Sequence, residues 1–504
     1  MYIATATQQK AADLYTIRDM GVPSLVLMET AANRLLDACP RAHTAIIFCG
    51  GGNNGGDGFC LGRLLAQKNT SVKLVCLISP EKMSSDAQAE HALALRFHIP
   101  VISLSEAQSL SGADLVIDAM LGTGQSGAPK ASIAEAVALY NRMQGFKLAV
   151  DIPTGINCDT GEVYAPAAKA DLTVCLGSLK YGVLVGEGQT MAGKVILKEI
   201  GIPQEAMHAA AISGILADAA WASTHMPERA LTAHKYDCGS IFVFSGSVGM
   251  TGAPALAAMG ALHSGAGLVT AAVPSCIADI IAQKLTEPLI LSLPGDWHSF
   301  AADAGEFALN HIKKTNAAVI GPGIQNTSDA AEAMRYLIRN ADCPLVIDAG
   351  ALPFANERPE VQRPHTVITP HMGEAARLLS CTAQELAADP VGAAKKLAAQ
   401  FGCVAVLKGH PTITATPTRQ VYVNTTGNPG MASGGMGDVL SGVIASLIGQ
   451  GISAEHAAVL GVYLHGLAGD IAAKEKGEYG LCATDVAKAL PQAISITQRK
   501  KVSV

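Results

Sequence analysis

The chain has 504 residues, of which 49% are hydrophobic and 15% are charged, and its formal net charge is −6. This length predicts two or three domains, and so apolar a composition argues against intrinsic disorder. The chain has no cluster of lysines and arginines to neutralise phosphates, which disfavours nucleic acid as a partner.

Cysteine usage and hydropathy indicate a cytoplasmic protein. The twelve cysteines are scattered without metal-ligand spacing, as expected of reduced thiols. The N-terminus is polar, unlike a signal peptide. The uncharged stretch 238–278 contains Pro254, Pro274 and many glycines, so we interpret it as strand, loop and helix rather than as a membrane span. No membrane partner is expected.

The first half opens with helical patterns over residues 7–37, followed by a short buried strand at 45–49. That strand runs into a glycine-rich segment at 50–58, and a helix is predicted from Phe59 onward. This order is the geometry of a phosphate-binding turn, because the free N–H groups at a helix start attract anions.

The glycine-rich segment also fits another class of protein. Gly50, Gly52 and Gly55 satisfy the pattern G-x-G-x-x-G, so a dinucleotide-dependent oxidoreductase is an alternative. The next strand, however, ends near Glu81, which is later than the usual spacing for an acid that binds ribose.

Two later strands, at 115–118 and 148–151, each end in an aspartate. Ligands of parallel sheets bind outside the carboxyl ends of the strands. Asp118, Asp151 and the segment Asn53–Asp57 therefore predict a site at one sheet edge. A strand-end aspartate can also simply cap the next turn.

The same edge carries hard oxygen ligands of the kind that suit a cation other than zinc, namely Asn54, Asp118 and Thr154. Lys180 follows another strand, at 172–176, and either lines this edge or is a solvated loop lysine. Residue type alone fits both interpretations of Lys180.

Three motifs of the first half are GGGNNGGDG at 50–58, DAMLGTGQSGA at 118–128 and DIPTGI at 151–156. With them, the first half resembles the NAD(P)H-hydrate epimerase family, which interconverts the R and S hydrates of NADH and NADPH. The resemblance implies a substrate site made of Asn53, Asn54, Gly55, Gly56, Asp57, Gly122, Thr123, Gly124, Gln125, Ser126, Gly127, Ala128 and Asp151.

The resemblance also implies a cation and a catalytic group. A potassium ion would be held by Asn54, Asp118 and Thr154, and the family usually has serine at the last of these positions. Asp151 is the candidate acid or base, since exchange of the substrate hydroxyl needs proton transfer.

The domain boundary is predicted where an alanine-rich stretch with a loose pattern, 205–222, separates the two halves. We therefore predict domains at 1–215 and 225–504. No internal repeat at a short period is evident.

Strand and helix patterns alternate again in the second half, which favours a mostly parallel sheet with helices on both faces. Strands are predicted at 240–244, 268–273, 318–320, 345–347, 366–368 and 404–407. Small residues follow these strands and leave room for a ligand across the sheet edge.

The segment Asn428–Leu440 combines glycines with a helix start. Asp438 lies at this start, where it is either an N-cap or a base beside a bound phosphate. His371, at a strand end, is likewise either a helix cap or a hydrogen-bonding group of a site. The chain has neither a Walker A sequence nor a kinase glycine-rich loop, so phosphate chemistry here belongs to another class.

Five motifs of the second half occur in order: GSVGMTGAP (246–254), GPGI (321–324), TPHMGE (369–374), KGHPT (408–412) and NPGMASGGMGD (428–438). With them, the second half is similar to the ADP- or ATP-dependent NAD(P)H-hydrate dehydratases of the ribokinase-like superfamily, although Ser433 stands where threonine is common.

This second resemblance implies two groups of binding residues. The nucleotide would be held by Lys408, Gly409, His410, Pro411, Thr412 and Gly437. The hydrated nicotinamide nucleotide would be held by Ala253, Gly323, His371 and Asp438. Asp438 would be the base, and Mg²⁺ would neutralise the nucleotide phosphates.

The predicted fold is α/β, with two three-layer α/β/α domains, the first Rossmann-like and the second ribokinase-like. The predicted function is repair of hydrated NADH and NADPH by epimerisation and nucleotide-dependent dehydration, in a homo-oligomer. One alternative is a small-molecule kinase fused to a dinucleotide-binding module. In the other, the first half is a non-catalytic binding module of RNA metabolism.

Overall fold

The computed structural model describes residues 1–499 of the chain. They form two compact units, Met1–Gly214 and a second that begins at Ile215. Within these residues, no helix is both long and apolar enough to cross a membrane. All twelve cysteines are unpaired, and only Cys482 is exposed.

The first unit alternates strands and helices. Its elements are β1 (Tyr2–Ala4), α1 (Ala6–Arg18), α2 (Ser24–Ala38), β2 (Thr44–Cys49), α3 (Asn53–Gln67), β3 (Ser71–Cys76), α4 (Ser85–Arg96), β4 (Val101–Ile102), α5 (Leu104–Ala107), β5 (Gly112–Ala119), α6 (Ala131–Arg142), β6 (Gln144–Val150), β7 (Leu172–Leu176), β8 (Leu179–Lys180), α7 (Gly188–Ala192), β9 (Lys194–Lys198) and α8 (Gln204–Ala209). Short 3-10 helices lie at Pro80–Lys82 and Tyr181–Val183, and β10 (Gly214–Leu216) lies at the boundary in sequence.

The seven-stranded sheet of the first unit is parallel and has the order β4-β3-β2-β5-β6-β7-β9. The chain runs outward from β2 to β4 and returns to the other side of β2 at β5. The segments after β2 and β5 therefore flank a topological switch point, where open α/β sheets bind ligands. Asn53–Asp57 and Gly122–Ala128 both belong to these segments.

Alternation along the strands buries both faces of this sheet. Ile47 of β2 belongs to a core that includes Leu35 of α2 and Leu61 of α3. Phe48, one residue on, belongs to a core on the opposite face and meets Tyr140 of α6 edge to face. Helices thus cover both faces, which gives three layers.

The helix after β2 begins earlier than predicted. It starts at Asn53, with Gly52 at the N-cap position, rather than at Phe59. Asn53–Asp57 therefore forms the first turns of α3 and not a loop. The polar residues and glycines of this segment carry no apolar periodicity, so the sequence pattern did not reveal the helical start.

The second unit also alternates strands and helices. Its elements are α9 (Ala219–His225), β11 (Ser240–Phe244), α10 (Gly252–His263), β12 (Leu268–Pro274), α11 (Ala278–Lys284), β13 (Leu289–Leu293), α12 (Ala304–Ile312), β14 (Ala317–Ile320), α13 (Ser328–Asn340), β15 (Leu345–Ile347), β16 (Thr366–Ile368), α14 (Met372–Leu379), α15 (Ala383–Ala388), α16 (Pro390–Phe401), β17 (Val404–Leu407), β18 (Thr412–Ala415), β19 (Val421–Asn424), α17 (Met436–Gly449), α18 (Ala454–Lys476) and α19 (Ala483–Arg499). The 3-10 helices are Ser275–Ile277, Ala349–Glu357, Glu360–His365 and Pro429–Met431.

The strands of the second unit follow the order β13-β12-β11-β14-β15-β16-β17-β18-β19. They are parallel from β13 to β17, and β18 and β19 add antiparallel pairs. The predicted mostly parallel sheet and all of its predicted strands are confirmed. Strands β13, β18 and β19 were not predicted, because they are short runs that fit a loop equally well.

Helix α17 packs directly against α10 on one face of this sheet. Val439 and Val443 of α17 share a core with Val243 of β11. The next residue, Phe244, stacks on Phe300 with ring centroids 4.0 Å apart. This packing holds the first turn of α17 at the edge where the parallel strands end.

Candidate active sites

The first unit has a cavity of about 600 Å³ at the carboxyl edge of its sheet. Among the predicted binding residues, those that line it are Asn53, Asn54, Asp57, Gly122, Thr123, Gly124, Gln125 and Asp151. Helices α1 and α2 supply further walls, for example Gln9, Asp13 and Met28, which the sequence analysis did not predict.

Other predicted binding residues of the first unit do not line this cavity, namely Gly55, Gly56, Ser126, Gly127 and Ala128. Gly55 and Gly56 are buried and pack closely against Gly50 and Met28. These two glycines therefore let the start of α3 pack closely against the backbone of Gly50 and the side chain of Met28.

Asp151 forms an ion pair with Lys180 beside the cavity. Lys180 is fully buried, and its ammonium also donates to the carbonyl oxygens of Leu176 at 2.9 Å and Ser178 at 3.0 Å. Burial disfavours the charge on Lys180, but the Asp151 carboxylate outweighs this effect and the pKa of Lys180 is raised. The interpretation of Lys180 as a solvated loop lysine is therefore wrong.

Two further carboxyl groups line the same cavity. Burial raises the pKa of Asp57 well above its usual range, and the nearby charge of Asp151 raises it further. Burial also raises the pKa of Asp13, although the hydrogen bond that Gln9 donates to it, 2.8 Å long, opposes this shift. The cavity thus combines one ion-paired carboxylate with two carboxyl groups whose pKa is raised by burial.

Asn54, Asp118 and Thr154 meet around the backbone of Leu121. The Thr154 hydroxyl donates to Asp118 at 2.8 Å and accepts from the Leu121 N–H at 3.0 Å. The Asn54 amide donates to the Leu121 carbonyl oxygen at 3.1 Å. The structure therefore brings the predicted cation ligands together.

Asp118 is fully buried, and no basic side chain within residues 1–499 pairs with it. Burial raises the pKa of Asp118 to about 6, against hydrogen bonds from Thr154 and the Met120 N–H. A buried carboxyl group with hard oxygens beside it and no counter-charge fits a bound cation.

In the second unit, α17 begins at Met436, with Gly435 at the N-cap position in a left-handed conformation with φ of 89°. Asp438 is the third residue of the helix, and no side chain caps this helix start. The interpretation of Asp438 as an N-cap is therefore wrong. Burial and then the charge of Asp348 raise the pKa of Asp438 to about 7, while the charge of Lys408 lowers it.

Lys408 lies between carboxylates that follow neighbouring strands. Its Nζ donates to Asp348 Oδ1 at 2.9 Å and lies 4.0 Å from Glu374 Oε2. The other oxygen of Asp348 accepts from the Ser441 hydroxyl of α17 at 2.8 Å. Burial lowers the pKa of Lys408, but the Asp348 and Glu374 carboxylates outweigh burial and raise it overall.

The turn after β17 carries the residues predicted to bind the nucleotide. Lys408–Pro411 joins the antiparallel strands β17 and β18, and Thr412 is the first residue of β18. Gly437 comes so close to Lys408 that a Cβ atom would lie 3.1 Å from Nζ. The structure therefore brings Lys408 and Gly437 together, whereas Gly409 and His410 are exposed.

His371 is the N-cap of α14, as one of its two interpretations held. Its Nδ1 accepts from the Gly373 N–H at 3.0 Å, and the Glu374 carboxylate accepts from the His371 N–H at 2.8 Å. Because Nδ1 accepts, the neutral ring carries its proton on Nε2. The side chain is 56% exposed, so the Nε2 edge stays accessible.

Ala253 and Gly323 lie side by side at the switch point of the second sheet, between the segments that follow β11 and β14. The Ser247 hydroxyl donates to the Gly323 carbonyl oxygen at 2.8 Å and fixes this contact. The two residues predicted to hold the substrate are thus neighbours in the fold.

Asp348 was not predicted as a site residue, although a signal was present. Asp348 follows β15 directly, in the same pattern that pointed to Asp118 and Asp151. Asp13 gave no comparable signal, because it lies within the helix α1, far from any glycine-rich segment.

Two family models match the chain. The NAD(P)H-hydrate dehydratase model matches residues 241–492, and the model of the YjeF-related protein N-terminus matches residues 24–182. A relative from Moorella thermoacetica, the bifunctional NAD(P)H-hydrate repair enzyme Nnr, is 37% identical over 98% of this chain and 97% of its own. The chain belongs to the family of bifunctional NAD(P)H-hydrate repair enzymes. The resemblance drawn from the motifs is thereby confirmed.

A second relative and a solved structure are also similar to this repair enzyme. The Nnr repair enzyme from Escherichia coli is 33% identical over 97% of this chain and 92% of its own. The solved ADP/ATP-dependent NAD(P)H-hydrate dehydratase from Bacillus subtilis, co-crystallised with ATP and Mg²⁺, is 30% identical with a TM-score of 0.50. The matched region covers 56% of this chain and 98% of the Bacillus subtilis chain. The predicted fold class is confirmed.

Proposed function

We propose that this repair enzyme restores hydrated NADH and NADPH in two steps. The first domain, predicted at 1–215, interconverts the R and S hydrates, and the second, predicted at 225–504, dehydrates the S hydrate with ADP or ATP. The observation that carries the proposal is the presence of two separate carboxylate centres, one at Asp151 and one at Asp438, each beside a lysine. The names of the relatives support the same pair of activities.

The first reaction replaces a hydroxyl group on a ring carbon next to nitrogen. A proton delivered to the hydroxyl lets it leave as water, and the nitrogen lone pair stabilises the resulting cation. Water then adds to the opposite face and gives up a proton. Asp151 is the proposed acid and base, and the cavity beside it would hold the hydrated ring within reach of its carboxylate.

The second reaction converts the hydroxyl into a better leaving group. Asp438 accepts the hydroxyl proton while the oxygen attacks the terminal phosphoryl group of the nucleotide. Lys408, Gly437 and the free N–H groups at the start of α17 stabilise the charge on the moving phosphoryl group. Phosphate then leaves the ring carbon, and loss of a proton from the neighbouring carbon restores the dihydropyridine.

The cation sites of the two units differ. Asn54, Asp118 and Thr154 would hold potassium, which supplies the positive charge that buried Asp118 lacks. In the second unit, the Glu374 carboxylate near Lys408 offers oxygens of the type that Mg²⁺ accepts beside nucleotide phosphates. The magnesium ion would neutralise those phosphates.

The direct test mixes the protein with hydrated NADH and either ADP or ATP and follows the absorbance of dihydronicotinamide. Recovery of NADH with release of phosphate is expected. No recovery with either nucleotide would overturn the proposal. A stable phosphorylated product would instead favour the small-molecule kinase, and RNA binding without turnover would favour the binding module.

A pair of variants separates the two steps. Asp438→Ala should reduce recovery of NADH from the pure S hydrate by about 10²- to 10⁴-fold, the usual worth of a general base, and leave epimerisation intact. Asp151→Ala should do the reverse. A folded variant that loses both activities would contradict the assignment of two sites.

We also propose that the enzyme is a cytoplasmic homo-oligomer. Sedimentation of the purified chain at several concentrations measures its mass, and a single monomeric species throughout would refute the oligomer. Fractionation of cells that express the natural protein tests the compartment, and recovery outside the cytosolic fraction would refute it.

A further inference from the structure

The ammonium group of Lys180 has no hydrogen bond left for a ligand. Its three N–H groups are taken by Asp151 Oδ1 and by the carbonyl oxygens of Leu176 and Ser178. The side chain is also fully buried. Lys180 therefore cannot touch a substrate, and whatever it does in the site it does through Asp151.

The two oxygens of Asp151 have different surroundings. Oδ1 accepts both from Lys180 and from the Leu176 N–H, the latter at 2.9 Å. Among the described residues no group donates to Oδ2, and the side chain, 15% exposed, lines the cavity. One oxygen is anchored, and the other is available to a ligand.

The backbone contributes to this orientation. Asp151 has φ of 64°, in the left-handed region that residues other than glycine rarely adopt. Such conformations persist where the surrounding structure imposes them, and they concentrate at functional sites. Here the bonds to Oδ1 are the contacts that hold the side chain in place.

Lys180 is itself fixed by neighbouring elements. It lies in β8, which pairs with β1 so that Lys180 stands opposite Ala4. The residue two positions earlier, Ser178, donates through its hydroxyl to Gln9 of α1, and Gln9 donates to the cavity residue Asp13 at 2.8 Å. Strand pairing and these hydrogen bonds thus connect the segment that carries Lys180 to β1 and to α1, which lines the cavity.

We infer that Lys180 is a positioning residue of the epimerase site: by holding Oδ1 of Asp151, it directs Oδ2 at the hydroxyl-bearing carbon of the hydrated nicotinamide. This inference rests on the proposed function. In the reaction, the departing hydroxyl takes up the proton that Oδ2 carries and leaves as water, the water that adds to the ring carbon returns a proton to Oδ2, and nothing is oxidised or reduced.

The test measures kcat and KM for interconversion of the R and S hydrates in the full chain. Lys180→Met should lower kcat by about 10- to 100-fold, as expected when a catalytic group is misplaced by about 1 Å, and change KM little. Lys180→Arg keeps the positive charge and should retain more of kcat than Lys180→Met. The dehydratase rate of the same preparations controls for the amount of active chain, and a thermal unfolding curve shows whether the first unit is folded.

A double-mutant cycle separates positioning from a merely structural role. In an Asp151→Asn background, adding Lys180→Met should cause no further loss of kcat, because the lysine acts only through the carboxylate. This double variant also leaves no unpaired charge in the wall, so it answers the question even if Lys180→Met alone unfolds.

Three outcomes would overturn the inference: losses that multiply in the double variant, a change confined to KM, or a Lys180→Met variant with unchanged kcat. Each of these leaves the proposed function standing. A wild-type chain that does not interconvert the hydrates would instead remove the proposed function itself, so the two failures are distinguishable.

Discussion

Lys408 and Asp348 form an ion pair of 2.9 Å that joins the ends of two strands in the second unit. Asp348 follows β15 and is 1% exposed. Lys408 follows β17 and is the first residue of the turn that leads to β18. The other carboxylate oxygen of Asp348 accepts a hydrogen bond from the Ser441 hydroxyl of α17. The pair therefore connects the start of α17, which carries Asp438, to the turn predicted to bind the nucleotide.

Replacing Asp348 should destabilise the second unit as well as impair dehydration. Asp348→Asn leaves the Lys408 ammonium without its hydrogen-bonded carboxylate, and only the more distant Glu374 and Asp438 remain as negative neighbours. Breaking a buried ion pair by removing one partner costs about 3 kcal/mol, so the free energy of unfolding should fall by about that amount. Urea denaturation measures the loss of unfolding free energy, and the dehydratase rate without urea measures the loss of activity.

A matched control for Asp348→Asn is Ser441→Ala. This change removes one buried hydrogen bond and should cost about 1 kcal/mol of unfolding free energy. Equal losses in the two variants would show that the hydrogen bond from α17, and not the ion pair with Lys408, is what Asp348 contributes.

Much of the fold followed from local patterns. The strand Ser240–Phe244, for example, is a run of apolar residues bounded by small ones, and the structure has it with those bounds. The segments around Asp57 and Asp118 stood out because glycines and carboxylates follow buried strands. Such signals lie within a few consecutive residues, so one sequence suffices to detect them.

The pairings inside the sites did not follow from the sequence. Lys408 and Asp348 are 60 residues apart and meet only because β15, β16 and β17 lie side by side. The residues around Lys180 have the same pattern whether its side chain is exposed or buried. Only the ion pair with Asp151 in the structure shows that it is buried. Contacts set by sheet order are not encoded in any short motif.

The rate of dehydration should depend on pH through Asp438. Burial raises the pKa of Asp438 to about 7, with a further contribution from Asp348 and an opposing one from Lys408. A base acts in its ionised form, so kcat/KM should rise with pH through about 7 and level off above it. Steady-state rates at constant ionic strength measure this limb.

The source of that pH dependence can be checked with one substitution. Asp348→Asn removes a negative neighbour of Asp438, so the midpoint of the limb should move to lower pH in the activity that remains. A midpoint that moves upward, or a wild-type limb that falls with rising pH, would contradict the role of Asp438 as the base.

Gly437 should be intolerant of a side chain for a local reason. A Cβ atom there would lie 3.1 Å from Lys408 Nζ and 3.8 Å from Asp348 Oδ2, so in Gly437→Ala the ammonium would have to shift by a few tenths of an ångström. Nucleotide KM should rise by about tenfold, as when part of a charged hydrogen bond is lost. Alanine favours the helix, so unfolding would not explain the change.

The control for Gly437→Ala is Gly434→Ala, because a Cβ atom at Gly434 would meet open space. We expect a nucleotide KM within about twofold of the wild type for this control, since no packed atom has to move. Equal increases in KM for the two variants would show that any added side chain in this segment disturbs the nucleotide, and the specific contact with Lys408 would lose its support.

Any acceleration of epimerisation by potassium should require the hydroxyl group of Thr154. Thr154→Ser keeps the oxygen beside Asp118, whereas Thr154→Val keeps the shape and removes it. Valine should therefore abolish any acceleration of epimerisation by KCl over NaCl, and serine should preserve it. Thermal unfolding gives a second readout, since an ion that binds only the folded state raises the melting temperature. A valine variant that still responds to potassium in both measurements would place the ion elsewhere.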